Sequence, residues 1–260
     1  MLLYEHPLSS YVQKVKIALR EKGVAFDREI PATLGTGAAD GGFGVASPKV
    51  EVPALIDGDV RIFDSTIIVE YIEDKWPAPP LLPRDPGARA RARMIEDVCD
   101  TQYEAINWGL GEIRWFGRAE GALAETLRAA AAVQTRAIQD WLAAQLGTAD
   151  WFGGATFGMA DLSVAPYLNR SVYYGLGPAT GSPLDRWLAR ARVRPSLAQT
   201  FAEFQGAVDS MADAGRRFAA AGLRREYRDH RLEWMIKSGG VQEVLDGLAA
   251  NNIRFTWPHG

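Results

Sequence analysis

Residues 46 to 77 read ASPKVEVPALIDGDVRIFDSTIIVEYIEDKWP, and this stretch decides the fold. Pro53 to Ile56 predicts a strand, the pair Asp57-Gly58 predicts a tight hairpin turn, and Val60 to Phe63 predicts the strand that pairs with the first. Asp64-Ser65 then begins an apolar helix, because short polar side chains favour the first position of a helix. The last proline of the stretch ends that helix, since it cannot continue the hydrogen-bond ladder.

The residues before this stretch predict the rest of a compact α/β unit. Met1 to Glu5 predicts a short strand, and residues 11 to 22 carry apolar side chains at helical spacing before Gly23. A second strand fits Ala25 to Ile30. The run GTGAADGGFG, residues 35 to 44, predicts a mobile loop, because glycine disfavours a helix.

The proline-rich segment from residue 77 to residue 86 predicts a linker. We therefore expect a first domain over residues 1–79 and, because strand signals nearly vanish after the linker, an all-helical domain over residues 86–212. Its helices are predicted over residues 87–117, 121–146, 158–174, 183–192 and 195–209. Residues 213–260 are predicted to form a C-terminal extension, with a helix over about 213 to 237, a break at Gly239-Gly240, a helix over 241–250 and a strand over Ile253 to Trp257.

Composition and charge narrow the classes of function. The 260 residues carry a formal net charge of −3 with scattered arginines, so we expect no nucleic-acid partner. No apolar run approaches the roughly 20 residues of a membrane span, and the first residues lack a signal-peptide pattern, which favours a cytoplasmic protein. The single cysteine, Cys99, allows no internal disulfide, and the histidines show no metal-ligand spacing, so no metal is expected.

Three features of the first domain indicate a site for a small peptide ligand with a thiol. The Val52-Pro53 pair, ahead of a strand, often has a cis peptide bond, and Val52 could then offer its backbone to a peptide. The helix that begins at Asp64-Ser65 could hold a carboxylate at its N-terminus, with Asp64 binding an ammonium group. A hydroxyl of Ser9-Ser10-Tyr11, at the start of the first helix, could donate to a thiolate and lower its pKa.

The runs SSYVQKVKIALREKG, ASPKVEVPALIDGD and FDSTIIVEYIEDKWP resemble the soluble glutathione S-transferase family, and GMADLSVAP and VRPSLAQTF extend the resemblance into the second domain. The resemblance implies a thioredoxin-like N-terminal domain, an all-helical C-terminal domain and glutathione as co-substrate. It implies that Val52 and Pro53 bind the cysteinyl backbone and that Asp64 and Ser65 bind the γ-glutamyl end. The family spacing, counted back ten positions from Leu19, gives Ser9 as the thiol-activating residue, with Ser10 and Tyr11 as alternatives.

The implied activity is attack of the glutathione thiolate on an electrophilic apolar compound, by a homodimer that serves detoxification. A dedicated catabolic step (dehalogenation, ether cleavage or isomerisation) and a non-catalytic glutathione-binding or partner-binding protein stay open as alternatives. The spacing is similar to the zeta class, but Tyr11 replaces the third residue of that class's serine-serine-cysteine triplet. Val50 replaces the usual glycine before Pro53. No cysteine occupies the activating position, which argues against a thioltransferase.

The acceptor pocket is the least defined part of the prediction. Trp108 and Trp115 lie seven residues apart on one face of a helix, away from its apolar stripe, which suits a pocket or a subunit interface. The predicted pocket residues are Tyr11, Tyr103, Trp108 and Trp115. Cys99 is expected in the core, and His6 is expected to be a solvated or hydrogen-bonded histidine without a catalytic role.

Overall fold

The computed structural model describes residues 1–39, 41–213, 220, 232, 235 and 239–250. Its only sheet among these residues has four short strands: β1 (Leu2–Tyr4), β2 (Asp27–Glu29), β3 (Ala54–Asp57) and β4 (Val60–Phe63). The strand order is β2-β1-β3-β4, with β2 parallel to β1 and the other neighbours antiparallel. The predicted hairpin between β3 and β4 is confirmed, with Gly58 at a φ of 60° in its turn.

Three helices accompany the sheet: α1 (Ser10–Glu21), α2 (Gly41–Ala46) and α3 (Ser65–Lys75). The apolar side chains of α1 and α3, among them Val15 and Ile68, are fully buried together with Leu3 and Leu55 of the sheet. Ser9 and Asp64 cap α1 and α3, and their side chains accept backbone N–H groups of the first turn, so α3 begins at the predicted residue and α1 one residue before it.

The prediction of a loop over residues 35 to 44 is wrong in part, because α2 occupies Gly41–Ala46. Tertiary packing overrides the low helix propensity of the glycines: Phe43 is 3% exposed and packs on Tyr4 with ring centres 5.3 Å apart. The glycine at position 42 permits this approach, because a Cβ there would lie 2.6 Å from the Tyr4 hydroxyl.

The second domain consists of helices, as predicted. Its elements are α4 (Pro86–Val98), a π-helical turn (Cys99–Tyr103), α5 (Glu104–Phe116), α6 (Gly121–Leu146), α7 (Met159–Tyr173), α8 (Pro183–Arg192), α9 (Pro195–Asp209) and a 3₁₀ turn (Ser210–Asp213). The helix predicted over residues 87–117 is thus continuous but carries a π-helical turn in its middle. Cys99 lies in the core, as predicted, with no exposed surface.

The start of α7 is fixed by one buried carboxylate. Asp161 accepts hydrogen bonds from the backbone N–H groups of Phe152 and Gly158 (3.0 Å each) and from Nε1 of Trp187 (2.8 Å). Burial, opposed by these donors, raises the pKa of Asp161 to about 6. The carboxylate therefore ties the loop before α7, α7 itself and α8 to one another.

Buried ion pairs join the two domains. Nζ of Lys14 on α1 lies 2.6 Å from Oε1 of Glu96 and 2.6 Å from Oδ2 of Asp100, both in the second domain. Nζ of Lys16 lies 2.6 Å from Oε2 of Glu5 and also pairs with Glu203 on α9. Both lysine side chains have no exposed surface, so α1 is the element through which the domains are held together.

In the C-terminal extension, the predicted break and second helix are confirmed by Gly239, with a φ of 88°, and by α10 (Val241–Ala249). The helix predicted over about 213 to 237 falls almost wholly outside the described residues, and the strand predicted over Ile253 to Trp257 falls entirely outside them.

Candidate functional site

The register of the sheet gathers the predicted ligand-binding segments at one edge. Tyr4 at the end of β1 pairs with Ala54 at the start of β3, and Ala54 pairs with Phe63 at the end of β4. The loop that leads to Ser9, the Val52-Pro53 pair and the Asp64-Ser65 pair therefore leave the sheet side by side. Segments that are distant in the sequence form one site because three strand ends meet there.

The backbone of Val52 is available for pairing. The Val52-Pro53 peptide bond is cis, as predicted. Within the described residues, neither the N–H nor the C=O of Val52 has a hydrogen-bond partner, while the neighbouring N–H of Glu51 donates to Oγ of Ser47 at 3.1 Å. Val50, where the family resemblance implies glycine, has a φ of 56°, an uncommon conformation for a β-branched residue. Unusual backbone at this position suits a segment shaped for a ligand.

Asp64 and Ser65 form the start of α3 as predicted. Oδ1 of Asp64 accepts the N–H groups of Thr66 (3.0 Å) and Ile67 (3.2 Å), and its backbone has a φ of 76°. Asp64 is exposed, whereas Ser65 is 4% exposed. The side chain of Thr66 accepts from Nζ of Lys14 at 3.3 Å, which connects this helix start to the buried ion pairs beneath.

A network of hydrogen bonds holds the loop that carries Ser9. The N–H of Ser9 donates to the carbonyl of His6 (2.9 Å), and the N–H of Leu8 donates to Nδ1 of His6 (3.3 Å). Burial lowers the pKa of His6, so its ring is the neutral form that this second bond needs. His6 is therefore the hydrogen-bonded histidine that was expected. Oγ of Ser9 accepts from the N–H of Val12 (3.3 Å), and its own proton has no acceptor among the described residues.

The structure separates Ser9 from the two alternatives beside it. Ser9 is half-buried, whereas Ser10 has no exposed surface and its hydroxyl lies against the Glu104 carboxylate. The hydroxyl of Tyr11 donates to the backbone carbonyl of Asp100 at 2.6 Å, and its ring meets that of Tyr167 edge-on. Ser9 thus presents a hydroxyl at the N-terminus of α1, where the helix dipole favours a negative charge.

A cleft in the helical domain lies next to the Ser9 loop. Its volume is about 430 Å³, within the range of small-molecule sites. Its walls come from α5, α7, α9 and the turn after α9: Arg114, Trp115, Tyr173, Gln205, Val208, Asp209 and Met211. Leu8, the residue before Ser9, is buried with Phe204 and Val208 in the cluster against which Trp115, Tyr173 and Met211 pack. The cleft and the Ser9 loop therefore share an apolar wall.

Of the aromatic residues predicted to line a pocket, Trp115 does line this cleft and Tyr103 does not. Tyr103 has no exposed surface, stacks on Tyr167 and accepts from Nε2 of Gln139 at 3.1 Å, so its assignment to the pocket is corrected to the core. Tyr103 lies four residues after Cys99, a spacing that places both side chains on the buried face of the helix. Trp108 is half-buried and lies outside the lining of this cleft.

The cleft contains residues that the sequence reasoning missed, above all Arg114 and Tyr173. They come from helices more than 50 residues apart, and no spacing rule connects them. The available signal was limited to the place of Arg114 next to Trp115 in the sequence, although neighbouring residues of a helix point in different directions. Behind the cleft, the buried Arg170 pairs with Glu104 (3.1 Å) and lies over the Trp115 ring, which fixes the orientation of the tryptophan.

Two further observations concern the part of the chain that the structure describes. No group of three or more metal-ligating side chains occurs there. None of the helices in these residues combines the length and the apolar character that crossing a bilayer requires.

Comparison with known proteins agrees with this geometry. The model of the glutathione S-transferase N-terminal domain matches residues 3–80, and that of the C-terminal domain matches residues 119–190. Glutathione S-transferase U28 of Arabidopsis thaliana is 30% identical over 205 residues, covering 75% of this chain and 85% of that protein. A stringent starvation protein A homolog of Pasteurella multocida is 28% identical over 205 residues, covering 77% of this chain and 89% of that protein.

Another relative has a higher identity over a shorter stretch. Glutathione S-transferase Z2 of Arabidopsis thaliana is 46% identical over 89 residues, covering 34% of this chain and 40% of that protein's length. Among solved structures, a glutathione S-transferase from Rhodospirillum rubrum F11 superposes with a TM-score of 0.67 at 26% identity, covering 76% of this chain and 90% of that one. The chain therefore belongs to the glutathione S-transferase family, with its thioredoxin-like domain followed by an all-helical domain.

Proposed function

We propose that the protein is a glutathione transferase that activates the glutathione thiol with Ser9. The observation that supports the proposal is the meeting of three strand ends at one sheet edge, from which the loop that leads to Ser9, the Val52-Pro53 pair and the start of α3 all emerge. Val52 offers an unpaired N–H and C=O to the cysteinyl backbone. We assign Ser65, at the start of α3, to the γ-glutamyl carboxylate and Asp64, which caps that helix, to the ammonium group.

The reaction follows from this arrangement. The Ser9 hydroxyl donates to the sulfur and, together with the α1 dipole, stabilises the thiolate, which is the reactive form. The thiolate attacks an electrophilic carbon held in the neighbouring cleft, where Trp115 and Tyr173 supply apolar surface. Holding both reactants in adjacent sites raises their effective concentration.

The remaining parts of the proposal concern organisation. Residues 1–79 form the glutathione-binding domain, 86–212 the acceptor domain and 213–260 an extension, and the protein acts as a cytoplasmic homodimer in detoxification. Exposed apolar side chains on α3 and α4, Ile67 (56%) and Met94 (61%), support a dimer through these helices. A solution mass of twice the 28.4 kDa chain tests that part.

The test of Ser9 is the ultraviolet absorbance of the bound glutathione thiolate, titrated against pH. We expect the wild type to lower the thiol pKa and Ser9→Ala to return it toward the free value, by about one to two pH units for one charge-assisted hydrogen bond. Turnover of 1-chloro-2,4-dinitrobenzene should fall about a hundredfold. Ser9→Thr, which keeps both the hydroxyl and the helix cap, should retain most of the pKa shift and of the rate.

Two controls separate Ser9 from its neighbours and the enzyme from a binding protein. Ser10→Ala and Tyr11→Phe should leave the thiol pKa of bound glutathione unchanged. A pKa shift that survives Ser9→Ala but is lost in Tyr11→Phe would move the role to Tyr11. If the wild type binds glutathione with an unshifted thiol pKa and shows no turnover, the protein is a non-catalytic member of the fold. The similarity to stringent starvation protein A homologs is the observation that bears on this alternative.

A further inference from the structure

Arg114 places a cation on the wall of the cleft. Its Nε donates to the hydroxyl of Tyr173 at 2.8 Å, and its guanidinium carbon lies 4.8 Å from the centre of that ring. These two contacts hold the guanidinium against the tyrosine. Within the described part of the chain, Arg114 forms no ion pair, and its terminal nitrogens Nη1 and Nη2 have no acceptor. The side chain thus carries a positioned charge without a carboxylate partner.

The same wall is built from stacked aromatic rings. Trp115 and Tyr173 are stacked, with ring centres 6.0 Å apart and an interplanar angle of 27°. Phe204 meets Tyr173 edge-on at 5.8 Å from behind and is itself 2% exposed, so the tyrosine is well supported. The half-buried parts of Trp115 and Tyr173 that line the cleft suit an aromatic molecule, since aromatic rings prefer edge-to-face and offset contacts.

We infer that the cleft selects a planar aromatic electrophile that bears a carboxylate, and that Arg114 binds this carboxylate. The inference rests on the proposed transferase function and adds the class of its acceptor. A guanidinium with two terminal N–H groups on one side matches a carboxylate in a bidentate pair. Asp209 also lines the cleft and would repel the same carboxylate, so Arg114 must outweigh it. Arg114 is therefore a specificity residue in a cleft of mixed charge.

A matched pair of acceptors isolates this interaction: 4-chloro-3-nitrobenzoate, which is anionic, and 4-chloro-3-nitrobenzamide, which is neutral and of nearly equal shape. In both, the glutathione thiolate attacks the ring carbon that bears chlorine. The C–S bond forms, the C–Cl bond breaks and chloride leaves with the bonding electron pair, while the thiol proton has already passed to solvent. The bonds formed and broken are the same in both reactions, but the amide withdraws electrons from the ring more strongly than the carboxylate. Each kcat/KM is therefore divided by the rate constant of the uncatalysed reaction with glutathione, and the preference between the two acceptors is judged from these ratios.

We expect the wild type to prefer the benzoate. The Arg114→Gln variant should have a kcat/KM for the benzoate about tenfold below that of the wild type, mainly through a higher KM, which is the effect of losing one charge-assisted pair. The kcat/KM for the benzamide should change less than twofold. Arg114→Lys should restore part of the preference, because it keeps the charge without the bidentate geometry. Asp209→Asn should raise the preference, and added salt should lower it. Arg128→Gln, exposed on α6, is the control and should alter neither substrate.

The outcomes distinguish this inference from the proposal beneath it. If the wild type converts neither acceptor and does not activate the thiol, the transferase proposal fails. If the wild type converts the benzamide as well as the benzoate, or if Arg114→Gln lowers kcat/KM equally for both, transfer stands and the selection of carboxylates by Arg114 is refuted.

Discussion

The buried lysine at position 14 offers the sharpest test of how the two domains are joined beneath the site. Its Nζ lies 2.6 Å from a carboxylate oxygen of Glu96, 2.6 Å from one of Asp100 and 3.3 Å from the Thr66 hydroxyl. We consider Lys14→Met, which keeps most of the apolar stem and removes the charge. The change leaves two carboxylates facing each other in a site from which water is largely excluded.

The expected cost follows from these contacts. Two hydrogen bonds between charged groups contribute about 1.5–3 kcal/mol each, and removal of one partner from a buried ion pair costs about 3–5 kcal/mol. We therefore expect Lys14→Met to lower the free energy of unfolding by about 4 kcal/mol at pH 7.5. Lys75→Met is the control: Lys75 pairs with Asp57 at the surface, with 42% of its side chain exposed, so its loss should lower the stability far less than the loss of Lys14.

The pH dependence of the variant gives a second, independent result. Burial raises the pKa of Glu96, and Lys14 opposes that rise in the wild type. Without Lys14 the folded-state pKa of Glu96 rises further above its unfolded value, so the folded protein binds more protons than the unfolded one. The stability of Lys14→Met should therefore recover relative to the wild type as the pH falls from 7.5 to 5.5. Glu96→Gln in the Lys14→Met background should recover part of the loss at pH 7.5.

The assay is urea denaturation, followed by tryptophan fluorescence at both pH values, with the midpoint and the slope fitted separately. The reasoning is refuted if Lys14→Met costs no more than Lys75→Met, or if its cost is the same at pH 5.5 and 7.5. The first result would mean that Glu96 and Asp100 are already solvated or protonated in the folded protein. The second would mean that the loss comes from packing and not from charge.

Two further predictions concern the supports of the fold. Asp161→Asn places an amide N–H among three donors and should lower the free energy of unfolding by about 1–3 kcal/mol. The control is Asp150→Asn, which should lower it by less than about 0.5 kcal/mol because the Asp150 side chain is 72% exposed. The folded-state pKa of Asp161 is raised to about 6, so the stability that this residue contributes falls as the pH rises from about 4 to 6. The difference in free energy of unfolding between the wild type and Asp161→Asn should therefore widen toward pH 4. A difference that stays constant with pH would count against this reasoning. Gly42→Ala would bring a Cβ to 2.6 Å from the Tyr4 hydroxyl and should lower the free energy of unfolding by about 1–3 kcal/mol, which a lower thermal midpoint would report. Tyr4→Phe should relieve most of that loss in the double variant. An unrelieved loss would place the cause in the helix itself.

The sheet edge was predictable because local chemistry specifies each of its parts. A proline at the start of a strand, an Asp-Gly turn and a short polar residue before an apolar helix each allow few conformations. Once the strands are in order, their ends must meet, and Val52, Asp64 and Ser9 come together.

The helix α2 was not predictable in this way. Its glycines disfavour a helix locally, and the burial of Phe43 against Tyr4 compensates for that preference only after the sheet exists.

The helical domain was predictable as a set of helices but not as a pocket. Tyr103 was assigned to a pocket as an aromatic residue near Cys99, but the spacing of four residues puts both side chains on the same buried helix face. The cleft itself combines α5, α7 and α9, and nothing in the spacing of Arg114, Tyr173 and Val208 indicates that they meet. Only the packing of the three helices decides which side chains face one another.

The link between the two halves of the site is a single apolar residue. Leu8 is 7% exposed and is held in a cluster with Phe204 and Val208 of α9, while the next residue is Ser9. The Ser9 N–H donates to the carbonyl of His6, so the backbone of Ser9 is held between this turn and the wall that the cleft shares. Ser9 is thus positioned from both domains at once, and the proposed thiol site and the acceptor cleft form one unit only in the intact two-domain chain.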